Sequence, residues 1–594
     1  MKTKRLMIAV LTVIMLLALF TGCAGDSGTT NPTAAPTDEA TKVPDEKTAD
    51  SEPIKISIGS TSSLQTTPCM WYETDTWQEV LRLANVEIAE YHYYDQDKFN
   101  ILLAGSDLPD IVFSHYTTKL PDIIEAELAL DLKPYYDEYP HLDGEPYKQR
   151  NEIISAFYGG KNNALYFLGD YVGLELRDGG VQNWRGYNVR WDWYKEIGAP
   201  EVKNQDDYIA VLEEMVKNHP TTEDGKKVYA TGIAGSSFGS WYLNGCFSKP
   251  AMTNLWTFGS YLYMEAFEDG KLINGYTDLE RSPYWSDMRF YNILYNKGLL
   301  DPDSFTMTND ERKAKSAAGQ YAAEMGWPHA DLYNAKKAED PNTLAGMITI
   351  PTEACPVFAD YKQVTGFFPS YYIFVSAASK AIDGALSFLN VIHDPEVVRM
   401  LYSGFEGVHW NMVDGVPTLT EEVIAAKAAG GDEWTKTGIG QTYNFGFLQG
   451  SYLAADGYPV DLFDTDDMRA ANLTPLEKDY ADYYGVQYPA QACMKYVKEG
   501  KTVSMENAFS ELNQSATEPM PTDIQRILTQ CNDILFEAVP KLVQAKTEEE
   551  FKSIQAQVLA ELEANNEKVA WEWCLEANTK AKEFTKPIIE SLSW

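Results

Sequence analysis

Ser114, His115 and Tyr116 are polar side chains directly after the apolar run Ile111-Val112-Phe113. A hydroxyl, an imidazole and a phenol can each donate or accept hydrogen bonds at neutral pH, and the carboxyl end of a strand is where an open α/β sheet meets its ligand. The same residues also suit a plain strand-to-helix connection, so the surroundings have to decide. Glu406 and His409, in Phe-Glu-Gly-Val-His-Trp, offer an acid beside a base, but no nucleophile or metal set accompanies them and a structural turn is the better reading. Histidine is scarce, seven in all (His92, His115, His141, His219, His329, His393 and His409), with no His-Glu-x-x-His spacing. Besides Cys23, the cysteines (Cys69, Cys246, Cys355, Cys493, Cys531 and Cys574) are scattered without Cys-x-x-Cys spacing. They are expected to be mostly buried, with disulfides left open.

The elements that would position these groups follow from periodicity. Ile54, Ile56 and Ile58 alternate with polar residues, predicting a first strand that ends at Gly59 before the polar loop Ser60 to Pro68. Trp77, Val80, Leu81 and Ala84 mark a helix, and Ile88 to Tyr94 an aromatic strand. Asp95 or Asp97 caps a helix carrying Phe99, Leu102 and Leu103, Gly105 supplies its C-cap, and Pro109 opens the strand that leads to Ser114. This strand-helix alternation predicts a parallel sheet. Beyond it, Tyr158–Tyr171 reads as a glycine turn and short strand, and Asn183–Pro200 as a strand entering a helix. Asn204 or Asp206 starts an amphipathic helix, Phe290–Phe305 holds a helix closed by Gly298, and Glu311–Trp327 reads as helix, glycine and strand. Capping boxes at Thr522 and Thr547 predict two C-terminal helices, and a third runs through Trp571, Trp573 and Cys574. Phe445 to Asp467 shows no clear period.

At 594 residues the chain exceeds one simple domain, and a net charge of −38, from 49 basic against 87 acidic residues, excludes a nucleic-acid partner. Lys2, Lys4 and Arg5 precede the apolar stretch Leu6–Phe20, shorter than a membrane span, and Leu-Phe-Thr-Gly-Cys ends at Cys23. This resembles a bacterial lipobox, with Phe20 where leucine is usual. Residues 1–22 are read as a lipoprotein signal peptide, Cys23 as the lipidated residue, and 23–52, free of aromatic residues, as a solvated tether holding the body outside the cell.

Motif order adds a family. The Pro-Asp-Ile strand, the Gly-Lys turn before a strand, Arg190-x-Asp192-Trp193, Lys297-Gly-Leu-Leu-Asp-Pro-Asp303, Gly319-x-x-Ala-Ala-x-x-Gly-Trp327 and Phe405-Glu-Gly-Val-His-Trp recur in this order in one group. Over its whole mature body the chain resembles the extracellular solute-binding proteins of family 1, sugar-binding lipoproteins of ABC importers in Gram-positive bacteria, and among them the LplA-like branch. That resemblance implies an α/β, periplasmic-binding-protein-like type II fold: two lobes joined by a hinge, a ligand cleft between them, and extra C-terminal helices. The body, 53–594, is divided into lobe 1 (about 53–165 plus about 330–385) and lobe 2 (about 166–329 plus about 386–594).

The function implied is capture of a carbohydrate, an oligosaccharide, by a monomeric receptor that delivers it to ABC permease subunits in the membrane, without cofactor or catalysis. Aromatic faces would cover the sugar C–H side. Candidates by position are Trp71, His115, Tyr116, Trp184, Arg190, Trp241 and Trp327. Resemblance to maltodextrin-type relatives supports stacking by Tyr116 and Trp327. For Trp71, Trp184 and Trp241 a buried core indole fits the sequence as well as a stacking role, and Arg190 either meets ligand or pairs with Asp192. Some relatives carry a calcium loop where this chain has Asn218–Gly232; only Glu223 and Asp224 remain there, too few oxygens for a hard cation, so no structural calcium is expected. The alternatives are a secreted glycoside hydrolase, or a receptor for an acidic sugar or a peptide, for which Arg185 and Arg190 leave room.

Overall fold

The computed structural model describes residues 52–591 apart from 63–67, 146, 171, 173–185, 235–252, 258–262, 267–270, 325–328, 356, 358–370, 443–444, 446, 504–512, 514–515 and 519. In chain order the strands are β1 (Ile54–Ser60), β2 (Val86–Tyr93), β3 (Ile111–Ser114), β4 (Leu168–Gly169), β5 (Asn188–Arg190), β6 (Thr253–Thr257), β7 (Tyr263–Ala266), β8 (Leu272–Asn274), β9 (Ala323–Glu324), β10 (Met347–Thr349), β11 (Tyr372–Val375), β12 (Trp410–Val413) and β13 (Val416–Leu419). Two sheets organise two separate cores.

The first sheet has the order β2-β1-β3-β11-β4. β1 runs parallel to both β2 and β3, as the strand-helix alternation predicts, while β11 returns antiparallel to β3 and β4. Ile56, Ile58, Val112, Phe113 and Phe374 are buried on it, under the helices Asp75–Ala84 and Ile382–Ile392. Asp95 caps the helix Gln96–Gly105 by accepting from the Lys98 backbone N–H. The left-handed residue at that helix's end is Ser106, at φ 52°, whereas Gly105 stays helical.

The second sheet, β10-β5-β9, is antiparallel throughout. Its core gathers Tyr187, Val189, Trp191, Tyr208 and Met288 with the C-terminal helices Thr522–Gln544 and Glu548–Ala564. Thr547 caps the latter by accepting from Glu550 N–H, but the Glu550 carboxylate accepts from Lys546 N–H, so the predicted capping box is half made. Thr522 is instead the first residue of its helix, behind Pro521, and makes no cap. Cys493, Cys531 and Cys574 are buried and form no disulfide. Among the described residues no helix is long and apolar enough to cross a membrane.

The cores correct the lobe boundaries expected from sequence. First-core residues run to Val172, resume from Tyr372 to Leu401 and return from Phe445 to Val460, so these two later stretches pack with the first core and not the second. Trp410, Leu419, Val423, Ile439 and Leu462 form a small cluster of their own. Ile348, Ile350, Ala354 and Cys355 lie in the second core, so this stretch leaves the first lobe. The cause is long-range pairing: β10 bonds to β5, and Phe388 and Phe445 pack against Trp77. The stretch without a period is pinned by tertiary bonds. The Arg399 guanidinium donates to both oxygens of Asp456 at 2.5 and 2.8 Å, and the Ser403 hydroxyl donates to Val460 O at 2.7 Å.

The last helix, Glu567–Ser591, touches both cores. Ala570, Cys574 and Ala577 sit in the second. Near the other end Phe584 meets Phe157 edge-on, 5.5 Å between centroids, and Ile588 and Ile589 pack on the first.

Candidate functional site

The order β2-β1-β3 makes β1 a switch point, and the crevice beyond the carboxyl ends of β1 and β3 is where such sheets bind ligands. Ser60 lies opposite Phe113 in the parallel register, so Thr61 and Ser114 emerge side by side. Gly59 is required here, since a Cβ would stand 2.6 Å from the Tyr94 ring and 2.7 Å from Pro109. Thr61 Oγ1 accepts the His115 backbone N–H at 3.0 Å, lies 2.9 Å from His115 Nδ1, and donates to Ser114 Oγ at 3.2 Å. Ser114 Oγ in turn accepts from Tyr116 N–H at 3.1 Å. Two buried hydroxyls thereby hold an exposed imidazole, and among the described residues His115 Nε2 has no partner. Partial burial holds the His115 pKa below the usual imidazole value, so the ring is neutral at pH 7. The Tyr116 ring lies 4.2 Å from His115 and 5.9 Å from Phe99, and Tyr371 stacks on Phe113 at 5.3 Å. The predicted pair His115 and Tyr116 is therefore brought together at one strand end, with apolar ring faces beside hydrogen-bonding atoms.

The second lobe supplies a matching polar row that sequence reasoning missed. Asn188 stands opposite Glu324 on one side and Thr349 on the other. The Thr349 hydroxyl donates to Asn188 Oδ1 at 2.8 Å. Arg312 donates to Glu324 Oε2 and, through Nε, to Gly232 O at 2.6 Å. Each of the three row residues ends or begins its strand. Asn188 follows the first passage of chain between cores, after Val172, and Thr349 shortly precedes the second, before Tyr372. The only signal in the sequence is a polar residue set against apolar neighbours in Tyr-Asn-Val and Ala-Ala-Glu.

Two of the expected ligand contacts are corrected. Trp71 is fully buried, wedged against Trp77 at 4.7 Å, Phe445 at 5.1 Å and Tyr72 at 5.5 Å, and belongs to the first core. Arg190 is 6% exposed. It forms a two-point pair with Asp192 at 2.9 and 2.5 Å, and its guanidinium lies between the Trp193 and Tyr333 rings at 3.9 and 4.4 Å. That planar fork is spent within the lobe. Trp184, Trp241 and Trp327, like Cys23, lie outside the described residues.

Glu406 and His409 frame a turn. His409 Nδ1 accepts from Phe405 N–H at 2.9 Å, and Gly404, at φ 81°, leaves no room for a Cβ beside the ring. In the turn around Gly225, Asp224 accepts from the Thr222 hydroxyl and pairs with Lys226 at 3.0 Å. These two contacts, the Thr222 hydrogen bond first, hold its carboxyl below the usual range. Among the described residues no three His, Cys, Asp or Glu side chains gather where they could hold a metal.

The fold defined by these lobes is that of the type II extracellular solute-binding proteins. Among solved structures, the alginate-binding protein AlgQ2 matches at a TM-score of 0.53 and 15% identity, covering 89% of this chain and 98% of that one. The S. pneumoniae ABC-transporter substrate-binding protein FusA, in complex with fructo-nystose, matches at 0.54 and 14%, covering 89% and 99%. A solute-binding protein of Bifidobacterium longum infantis described as HMO-binding matches at 0.53 and 14%, covering 90% and 99%. In sequence, lipoprotein LipO of Bacillus subtilis (strain 168) is 23% identical over 354 residues, 55% of this chain, and the chain spans 61% of that relative's length. No family model matches the chain. These likenesses are of fold: the chain has the architecture of the type II solute-binding proteins, and it is similar in sequence to one lipoprotein over 354 residues.

Proposed function

We propose that the protein captures an oligosaccharide between its lobes and delivers it to an ABC importer, tethered to the outer face of the cytoplasmic membrane through lipid on Cys23. The observation that carries this reading is the pair of polar strand ends, Thr61-Ser114-His115-Tyr116 on one sheet and Asn188-Thr349-Glu324 on the other, both adjoining the chain passages between the cores. Closure of one lobe toward the other would bring ring faces and hydrogen-bonding groups onto a sugar from both sides. The fold supports the reading, and so do the fructo-nystose in FusA and the HMO-binding description of the Bifidobacterium protein. LipO, a lipoprotein by name, supports the anchor. Tyr116 and Trp327 are the proposed stacking residues, with Trp184 and Trp241 as further candidates. The role is binding without catalysis, by a monomer.

Isothermal titration calorimetry of the purified protein against an oligosaccharide panel tests the proposal. Saturable 1:1 binding that falls at least tenfold in Trp327→Ala is expected. Absence of binding to every glycan, or hydrolysis of one, would overturn it.

A further inference from the structure

The second-lobe row carries an acceptor that the fold leaves unused. Glu324 is 1% exposed, and its Oε2 is engaged by Arg312. Its Oε1 is buried and, among the described residues, has no hydrogen-bond partner. A buried carboxylate oxygen left in this state costs free energy, and native proteins keep such a group where a ligand or another polar atom completes it. Directly across the sheet, Asn188 is 3% exposed and has its Oδ1 occupied by the Thr349 hydroxyl. Among the described residues no hydrogen bond takes up its Nδ2.

Directly opposed residues on adjacent strands have Cβ atoms about 5 Å apart. A spare carboxylate oxygen and a spare amide N–H2 on two such side chains set an acceptor beside a donor, which suits two neighbouring hydroxyls of a pyranose or furanose. The charge of the patch is equally specific. The Arg312 guanidinium is committed to Glu324 and Gly232 O, and Arg190, the cation that an acidic ligand would need, is locked by Asp192. Among the described residues, what remains available in this row is carboxylate oxygen and amide.

Resting on the binding role proposed above, we infer that Glu324 and Asn188 are specificity-determining residues that hydrogen-bond adjacent hydroxyls of a neutral sugar and reject uronic acids. A ligand carboxylate here would meet the Glu324 oxygen with no free cation among the described residues of the row to offset it.

Calorimetry with fructo-, galacto- and manno-oligosaccharides and with oligogalacturonate, on wild type, Glu324→Gln and Asn188→Ala, tests this. Wild type is expected to bind a neutral oligosaccharide at least tenfold more tightly than oligogalacturonate. Glu324→Gln should weaken the neutral ligand at least tenfold and narrow that preference. Asn188→Ala, which leaves the Arg312–Glu324 pair intact, should weaken the neutral ligand about fivefold or more. Neutral binding kept within twofold by both variants, with or without a fall in melting temperature, would overturn the inference and leave the binding role standing. Equal or tighter wild-type affinity for oligogalacturonate would overturn it too. Failure of wild type to bind any glycan would instead overturn the binding role itself, and this inference with it.

Discussion

Thr61 Oγ1 lies 2.9 Å from His115 Nδ1 and accepts the backbone N–H of the same residue at 3.0 Å. One hydroxyl thus ties the loop after β1 to the residue that follows β3, and fixes an imidazole at the crevice between two parallel strands.

Thr61→Val keeps the side-chain volume and removes that acceptor. The expected result is roughly tenfold weaker oligosaccharide binding, about 1.4 kcal/mol, with a stability loss near 1 kcal/mol from the lost hydrogen bonds. Calorimetry beside urea denaturation separates the two effects. Unchanged affinity would detach His115 from the ligand.

Trp71 stands in the first core, so Trp71→Ala should cost about 3–5 kcal/mol of stability in urea denaturation, as large aromatic truncations do. Protein that still folds should bind its ligand within a few-fold of wild type. Selective loss of affinity at unchanged stability would restore Trp71 to the site.

Asp110 accepts from Ser57 N–H and Ser57 Oγ at 2.8 and 2.6 Å, and from Ser379 Oγ at 2.6 Å. Burial pushes its pKa up, but the hydrogen bonds from Ser379 and Ser57 outweigh that and leave it below the ordinary 3.8. The folded pKa lies below the unfolded one, so the stabilisation is complete above about pH 4 and is lost as pH falls through the folded value. Asp110→Asn should therefore be less stable than wild type at pH 7, by about 1 kcal/mol for a partly exposed group, with the gap closing below pH 3.8. Urea midpoints measured between pH 2.5 and 7 would show this, and a pH-independent gap would contradict it.

Arg190→Lys removes the two-point geometry with Asp192 and the stacking between Trp193 and Tyr333. A loss of about 1–2 kcal/mol in stability is expected, with ligand affinity within twofold. A tenfold affinity loss without destabilisation would place Arg190 against ligand after all.

The last helix is held in the second core by Ala570, Cys574 and Ala577, and by the Glu567 carboxylate, which accepts from Tyr263 OH at 2.7 Å and Asn274 Nδ2 at 2.8 Å. Its far end rests on Phe157 through Phe584, 49% exposed, one turn before Pro587. Proline removes a helical hydrogen bond, so this end is the weaker anchor. Phe584→Ala should broaden the lobe arrangement seen by small-angle scattering while moving the melting temperature by no more than a few degrees. Identical scattering curves would show that the helix does not restrain the lobes.

Local patterns carried over into the structure wherever near neighbours in the chain decide the outcome. Alternation of Ile54, Ile56 and Ile58 became β1, and Asp95, Asn204 and Thr547 cap the helices they precede. His115 and Tyr116 were legible as a polar strand end because a polar run after an apolar strand keeps its place whichever sheet receives the strand. Pairing across the chain was not legible. Whether an indole is core or cleft depends on partners such as Phe445, remote from Trp71 in sequence. Arg190 could be assigned only once Tyr333 and Trp193 were known to enclose it.

By itself the sequence determined the parallel start of the first lobe, the class of fold and one polar strand end, because each rests on residue type, short-range periodicity or motif order. Tertiary structure decided the lobe boundaries, the burial of Trp71 and Arg190, and the row Thr349-Asn188-Glu324 across the second sheet. The physical reason is register. Three residues from distant parts of the chain become neighbours only through the backbone hydrogen bonds of β10, β5 and β9, and no local preference of any of them encodes that alignment.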